Sequence, residues 1–278
     1  MINTKWFKEQ NIFPLISVNK LSFLLKTDSD DLKNIAKSVG NFYKPFDRKQ
    51  IKENGDIKWR HIDNPLPELK KIQRKINKVL LSGVIKSLPN SITGGRASQS
   101  IFTNASHHIN QEAVATIDLK DCFPKTNNLR IFRVWRNYLK NGIQISDILT
   151  KLTTFQRRLP QGAPTSSSLC NLALFPLHLK ILNYCIDNEL NLTQFVDDIT
   201  ISGKAKSVRQ AINRVILLIQ SEGYAVRKRK VKVMLANKQQ KITGLIVNRK
   251  ISISSKFIES VRKEIIDSSN QGKITKKR

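Results

Sequence analysis

The spacing of apolar and polar positions changes period several times along this chain, and each change predicts an element. Residues 28–39 (DSDDLKNIAKSV) put acids in a first turn and apolar residues at helical spacing, with Gly40 after them. This predicts a short capped helix. RKQIKENGDIKWRHID then runs as two alternating arms around Asn54-Gly55, a hairpin signal whose arms carry Lys49, Lys52, Lys58 and Arg60. From Glu68 to Leu81 the period is helical again. Leu69, Ile72, Ile76 and Val79 form one face, and Lys70, Lys71, Arg74, Lys75 and Lys78 fill the others. That basic face fits plain solvation and nucleic-acid contact equally well.

AVATIDL (113–119) is a buried-strand pattern carrying Asp118 at its end. IFRVWRNYL and SDILTKL predict helices, and RRLPQGAPTS predicts a loop. Ser166 to about Glu189 reads as a Leu-rich helix that Pro176 should kink or break. LTQFVDDITISG predicts two short strands pivoting on Asp197-Asp198, and AKSVRQAINRVILLIQSEG an amphipathic helix stopped by Gly223. Basic strands follow over 224–253, then a helix near 256–266 with Phe257, Val261 and Ile265 on one face. Strands and helices interleave, but the Asp-Asp hairpin makes the class α+β rather than a doubly wound parallel sheet.

Composition adds a partner to this picture. The 278 residues are 40% hydrophobic and 25% charged, a globular balance, yet 49 Lys+Arg stand against 21 Asp+Glu for a net charge of +28. Such an excess is self-repelling unless a polyanion is a normal partner, and nucleic acid rewards it through counterion release. A generally basic, ribosome-associated protein would show the same charge. The excess is uneven: residues 204–278 hold 20 Lys+Arg and 4 Asp+Glu, whereas residues 1–60 hold 12 and 7. Cys122, Cys170 and Cys185 show no CxxC spacing, and His61, His107, His108 and His178 complete no metal-ligand pattern with them. The segment MINTKWFKEQNIF has no signal-peptide core, and no apolar run was expected to reach a membrane span. A reducing cytoplasm and no membrane partner are the expectation.

Three carboxylates stand where acids are hard to explain as surface decoration. Asp118 ends an apolar strand, and Asp197 and Asp198 sit at the tip between two β-rich arms. Strand ends and tight hairpins hold side chains rigidly, as an oxygen-ligand site for Mg²⁺ requires. An Asp-Asp pair on its own would be read as a turn.

Four segments give these acids a context. ATIDLKDCF, LPQGAPTSSSLCN, FVDD and GYAVRKRK, in this order, resemble the palm motifs of reverse transcriptases, and the resemblance extends from KWRHIDNPLPELKKIQRKI to ITGLIVN. It implies a polymerase right hand: N-terminal helices and fingers in 1–112, and an RRM-like palm in 113–235 with 125–165 connecting to the fingers. Primer-grip-like strands would fill 236–255, and a minimal helical thumb and basic tail 256–278. It implies two Mg²⁺ ions, with Mn²⁺ as a substitute, held by Asp118, Asp197 and Asp198. Phe123 falls where the family has an aromatic gate against the ribose 2′-hydroxyl, although it would serve equally as a core aromatic. Gln161 and Gly162 match the loop against the incoming nucleotide. Lys230 resembles a lysine that protonates the leaving pyrophosphate, with Lys228, Arg229 and Lys232 as competing neighbours. Lys58 and Arg60 fall on the finger hairpin that grips the triphosphate, where solvation is the plain alternative.

The closest likeness is to bacterial retron reverse transcriptases. Asn104-Ala105-Ser106-His107-His108 matches their NAxxH pattern, and Ile242-Thr243-Gly244 stands where they have Val-Thr-Gly. Asn104, His108, Thr243 and Gly244 are therefore expected to bind RNA. The likeness implies a cognate structured noncoding RNA, priming from an internal guanosine 2′-hydroxyl, and a branched RNA–DNA product made from dNTPs. It also implies antiphage defence with an effector protein. Departures are Phe195-Val196 for the usual Tyr-Ala, with Val196 expected to tighten the fit around the sugar, Ser167 for a frequent Pro, and Cys122 beside the gate. Alternatives are an RNA-binding scaffold that has lost synthesis, and a group II intron-like enzyme. Clustered unpaired acids argue against the first, and the short run after Ile253 against the second.

Overall fold

The computed structural model describes residues 14–51 and 56–255, and beyond them residues 258, 259, 261, 262, 265 and 266. Helix Ser29–Lys37 starts as its sequence dictates: the Asp28 carboxylate accepts from the Asp30 and Asp31 peptide N–H groups. Leu32, Ile35 and Ala36 make its buried face, and it packs against helix Ile143–Thr153. Strands β1 (Phe46–Ile51) and β2 (Ile57–Ile62) form an antiparallel ribbon in register from Phe46↔Ile62 to Ile51↔Ile57. Its connection, including Asn54-Gly55, lies outside the described residues.

The next helix corrects one expectation. Pro67–Lys75 passes into a π-helical stretch, Ile76–Leu81, before resuming at Ser82–Ser87. The wider turn shifts the apolar phase, so Leu69, Ile72, Ile76 and Leu81 are buried while Val79 is exposed.

The centre of the fold is β3 (Ala113–Lys120), paired on both edges and almost continuously buried along its apolar run. On one side come β5 (Asp198–Gly203) and then β4 (Asn191–Phe195). On the other, β6 (Ala225–Val226) pairs with the end of β3 and β7 (Lys232–Leu235) with its start. Helices Ser166–Asp187 and Ala205–Ser221 connect the strands and pack on the sheet and on each other. The order β-α-β-β-α-β with β3 and β5 central is the split βαβ arrangement of RRM-like domains. It is the α+β palm that the sequence implied.

Pro176 was expected to kink or break helix Ser166–Asp187; the helix is continuous through it, so the break does not occur. A proline inside a helix costs roughly 3 kcal/mol. Burial of Leu169, Leu172, Leu174, Phe175, Leu177 and Ile181, at roughly 1.5–3 kcal/mol each, outweighs that. This helix is also long and apolar enough to cross a membrane by length and composition, again contrary to the sequence reading, but most of its apolar stretch is buried against the sheet.

A small meander follows: β8 (Lys241–Ile242), β9 (Leu245–Ile246) and β10 (Ser252–Ile253). Its first turn places Thr243 at φ 46° and Gly244 at φ 94°, the paired left-handed conformation of a tight hairpin. Ile242 and Val247 pack with Ala105 and Val114, which ties the meander to the palm. Residues 255–266 continue as helix where described, with Ile258, Val261, Ile265 and Ile266 exposed; Phe257 lies outside the described residues.

Candidate active site

The register of the palm sheet brings the three acids together. Asp118 pairs directly with Asp198 across β3 and β5, and the Leu119 N–H donates to the Asp197 carbonyl at 3.0 Å. The hairpin between β4 and β5 turns on Val196 and Asp197, so all three carboxylates sit at one end of the sheet. Asp118 Oδ2 accepts from Lys230 Nζ at 2.7 Å, and its Oδ1 lies 3.2 Å from Arg227 Nε. Arg227 also reaches Asp121 Oδ1 at 2.9 Å through Nη2. Among Lys228, Arg229, Lys230 and Lys232, the ion pair with Asp118 belongs to Lys230, because the 3₁₀ turn Lys228–Lys230 puts residues 227 and 230 on one side.

Electrostatics at this end are strained. Burial, followed by repulsion from Asp118, raises the Asp197 pKa. Asp198 opens into the cleft, yet the enclosing walls and then the charges of Asp197 and Asp118 push it up to about 6. Lys58 is shifted down, by burial first and then by Arg60, Lys230 and Arg227. Like charges are thus crowded on both sides of the cleft.

A divalent cation fits this donor set. Asp118 Oδ1 is buried and has no hydrogen-bond partner among the described residues, and the neighbouring acids resist ionising together. Hard oxygen donors of this kind suit Mg²⁺. Among the described residues no three His, Cys, Asp or Glu side chains are yet grouped closely enough to hold a metal ion; Asp118 faces Arg227 and Lys230 instead. Binding of a metal would release those cations toward an anionic ligand.

The cleft itself has a volume of about 740 Å³ and brings Lys58, Arg60, Phe123, Gln161, Gly162 and Lys230 to the three acids. Phe123 both lines it and packs against the core. The Gln161-Gly162 loop is tied to the end of β2 by Asp63, which is fully buried. The Asp63 N–H donates to the Gln161 carbonyl at 2.8 Å, and the Gln161 N–H donates back to Asp63 Oδ2 at 3.0 Å. Arg158 Nη2 and His61 Nε2 lie 3.2 and 3.5 Å from Asp63 Oδ1. Gly162 takes φ 129°, and a Cβ there would meet Ile62 Cγ2 at 2.9 Å. Sequence reasoning missed Asp63, Arg158, Arg227 and Asp121. An acid in HIDNP between Ile62 and Asn64 was a faint signal; Arg227 had none beyond the run of cations.

The four residues expected to bind RNA lie elsewhere, and two of them have no exposed surface. Asn104 and His108 are fully buried. Asn104 Oδ1 accepts from Thr93 Oγ1 at 2.7 Å and its Nδ2 donates to Thr243 Oγ1 at 3.4 Å. His108 bridges Ser202 Oγ at 2.7 Å and Thr193 Oγ1 at 2.8 Å, and burial lowers its pKa to about 3. With every polar atom engaged inside, these two side chains brace the sheet and offer no surface to RNA. Thr243 is half-buried, and Gly244 is the exposed one of the set.

Comparison with known proteins places the fold that carries this cleft in a family. The reverse transcriptase (RNA-dependent DNA polymerase) family matches residues 51–247. The chain belongs to the reverse transcriptase family. It is 33% identical over 216 residues to the retron Ec86 reverse transcriptase of Escherichia coli, covering 77% of this chain and 67% of that one. It is 28% identical over 206 residues to the retron Se72 reverse transcriptase of Salmonella heidelberg, covering 74% and 53%. The chain thus spans about two-thirds of one of these relatives and about half of the other. These likenesses place the reverse transcriptase with the retron type. The telomerase of Candida albicans, solved with a TWJ fragment of telomeric RNA, superposes with a TM-score of 0.54 at 10% identity, over 82% of this chain and 50% of that one. At such identity it shows the shared fold alone.

Proposed function

We propose that this reverse transcriptase copies part of a cognate structured noncoding RNA into DNA, primed from a 2′-hydroxyl of that RNA, so that the product is a branched RNA–DNA hybrid. The observation that carries the polymerase reading is the convergence of Asp118, Asp197 and Asp198 in a cleft that Lys58, Arg60, Phe123 and Gln161 also line. Asp118, Asp197 and Asp198 would hold Mg²⁺, two ions in all, or Mn²⁺ in its place. Bound there, the metal supplies activation of the primer hydroxyl and neutralisation of the leaving pyrophosphate. Lys58 and Arg60 bind the triphosphate of a dNTP, and crowding among them is relieved by that anion. Phe123 excludes a 2′-hydroxyl by occupying its space. Gln161, fixed by Asp63, orients the base pair being formed. Lys230 gives a proton to pyrophosphate once the ligand draws it from Asp118.

The retron-type product, a role in antiphage defence with an effector protein and a bacterial cytoplasmic setting are parts of the same proposal, supported by the named retron relatives. The test of the product is direct. Nucleic acid co-purified with the chain after dNTP feeding is treated with RNase and with a debranching enzyme. A DNA strand that shortens to a free 5′ end only after debranching supports the 2′ linkage; DNA with no attached ribonucleotide contradicts it.

A further inference from the structure

The tip of the Asp197-Asp198 hairpin is held in a conformation that its own sequence disfavours. Val196 takes φ 58°, where a β-branched residue is an outlier and such a hairpin normally has glycine. Something around it must enforce that backbone.

Gln194, two residues earlier, is buried and engaged at every polar atom. Its N–H donates to the Ser91 carbonyl at 2.7 Å, and its carbonyl accepts from the Thr93 and Gly94 N–H groups at 2.9 and 3.3 Å. Its amide Nε2 donates to the Val196 carbonyl at 3.1 Å. That contact fixes the amide orientation, so Oε1 faces His178 Nδ1 at 3.0 Å and accepts from it. His178 is then the neutral tautomer protonated on Nδ1, and its Nε2 accepts from Ser91 Oγ at 2.8 Å. Burial suits this tautomer, lowering the ring's pKa to about 4. Behind the tip, a Cβ on Gly94 would come within 2.4 Å of Val196 N, so segment 91–94, bridged to Gln194 at Ile92, forms a backstop.

We propose that His178 is a positioning residue for nucleotidyl transfer, acting through Gln194 on the Val196 carbonyl to aim Asp197 and Asp198 at Asp118. Ser91, His178 and Gln194 are not among the residues that line the cleft, so their effect on the acids would be exerted through the Val196 carbonyl. The chain of bonds works as outer-shell partners do at metal sites, by fixing ligand direction rather than by ligating. This inference rests on the polymerase reading of the acids.

The test uses the full chain with its bound nucleic acid. Mn²⁺ affinity is measured by electron paramagnetic resonance, and DNA synthesis as a function of Mg²⁺ and dNTP, for wild type, His178→Phe, Gln194→Met and the double variant. Each single variant is expected to bind Mn²⁺ about tenfold more weakly, to need correspondingly more Mg²⁺ and to lose about tenfold in kcat. The KM for dNTP should stay within about twofold, because the triphosphate grip is untouched. The double variant should be no worse than the worse single, since both break one chain of bonds. Wild-type Mn²⁺ affinity and Mg²⁺ requirement in folded Gln194→Met, or additive losses in the double, would overturn the proposal. If His178→Phe fails to fold, Gln194→Met decides on the same readouts; unfolding of both would assign the relay to stability and overturn it too. Wild-type Mn²⁺ binding without synthesis would remove the polymerase reading while leaving the relay under test.

Discussion

Strand β5 begins at one cluster of polar residues and ends at another. At its start Asp198 meets Asp197 and Asp118, whose charges repel, and one buried oxygen of Asp118 lacks a hydrogen bond among the described residues. Near its end Ser202 meets His108, which also holds Thr193, while Asn104 joins Thr93 to Thr243. Both clusters are made of residue types that sequence motifs single out as functional. At one, Asp118 is ion-paired to Arg227 and Lys230, yet one of its buried oxygens has no hydrogen bond among the described residues and the acids repel one another beside a cleft. At the other, the polar demands are met inside the protein. Unmet demand points to a ligand, and met demand points to architecture.

The largest effect that could break this contrast is at Asp118. Asp118→Asn should lower DNA synthesis by about a thousandfold or more, since a metal ligand supplies several kcal/mol at the reacting centre. Thermal stability should barely move, because the ion pairs lost are partly exposed. A large loss of stability with synthesis retained would put the acid in the architectural class.

The brace should answer in the opposite way. His108→Ala or Asn104→Leu leaves buried partners unsatisfied and should cost about 2–4 kcal/mol, read as a lower urea midpoint. RNA affinity per folded molecule should be unchanged. A stable variant that has lost RNA binding would restore the direct contact that the motif suggested.

Acid separates the two ends by sign. His108 and His178 have pKa values lowered to about 3 and about 4, so their contribution is complete above about 6.5, the ordinary histidine value, and is lost as pH falls toward 4. Asp198, raised to about 6, does the reverse: protonation between about 6 and 4 relieves repulsion and favours the fold. Urea midpoints should therefore fall with acid in wild type and fall less in His108→Gln. In Asp198→Asn the fall should be steeper, because the compensating proton uptake is gone. Equal slopes in all three would contradict the assignment.

Much of this was legible before any coordinates. The palm sheet followed from three apolar runs and one Asp-Asp hairpin, because a central strand buried on both faces needs a nearly continuous apolar sequence. The cleft residues Phe123, Gln161 and Lys230 followed from ordered motifs. What was not legible has common physical causes. The exposure of Val79 depends on one π turn that no local pattern announces. Asn104 and His108 are held inside partly by partners 85 to 139 residues away in sequence. Asp63 acts through a loop 98 residues further on. Pairing at such range is set by topology, and a motif names the residue without naming its partner.

Smaller substitutions sharpen the cleft itself. Phe123→Ala should let ribonucleotides compete, narrowing dNTP preference by about 10- to 100-fold, or roughly 1–3 kcal/mol. Val196→Ala should alter nucleotide selectivity, fidelity or processivity only modestly, and Val196→Gly should stabilise the fold by about 1 kcal/mol through relief of backbone strain. Unchanged selectivity in Phe123→Ala would leave that ring a core aromatic.

The three acids at this end of the palm sheet are expected to perform DNA synthesis. The chain purified with its associated nucleic acid is given dNTPs and Mg²⁺, and wild type is compared with Asp197→Asn/Asp198→Asn. Labelled DNA from the wild type, abolished in the double variant while its melting temperature is kept or raised, is the predicted result. Equal synthesis by both proteins would contradict it.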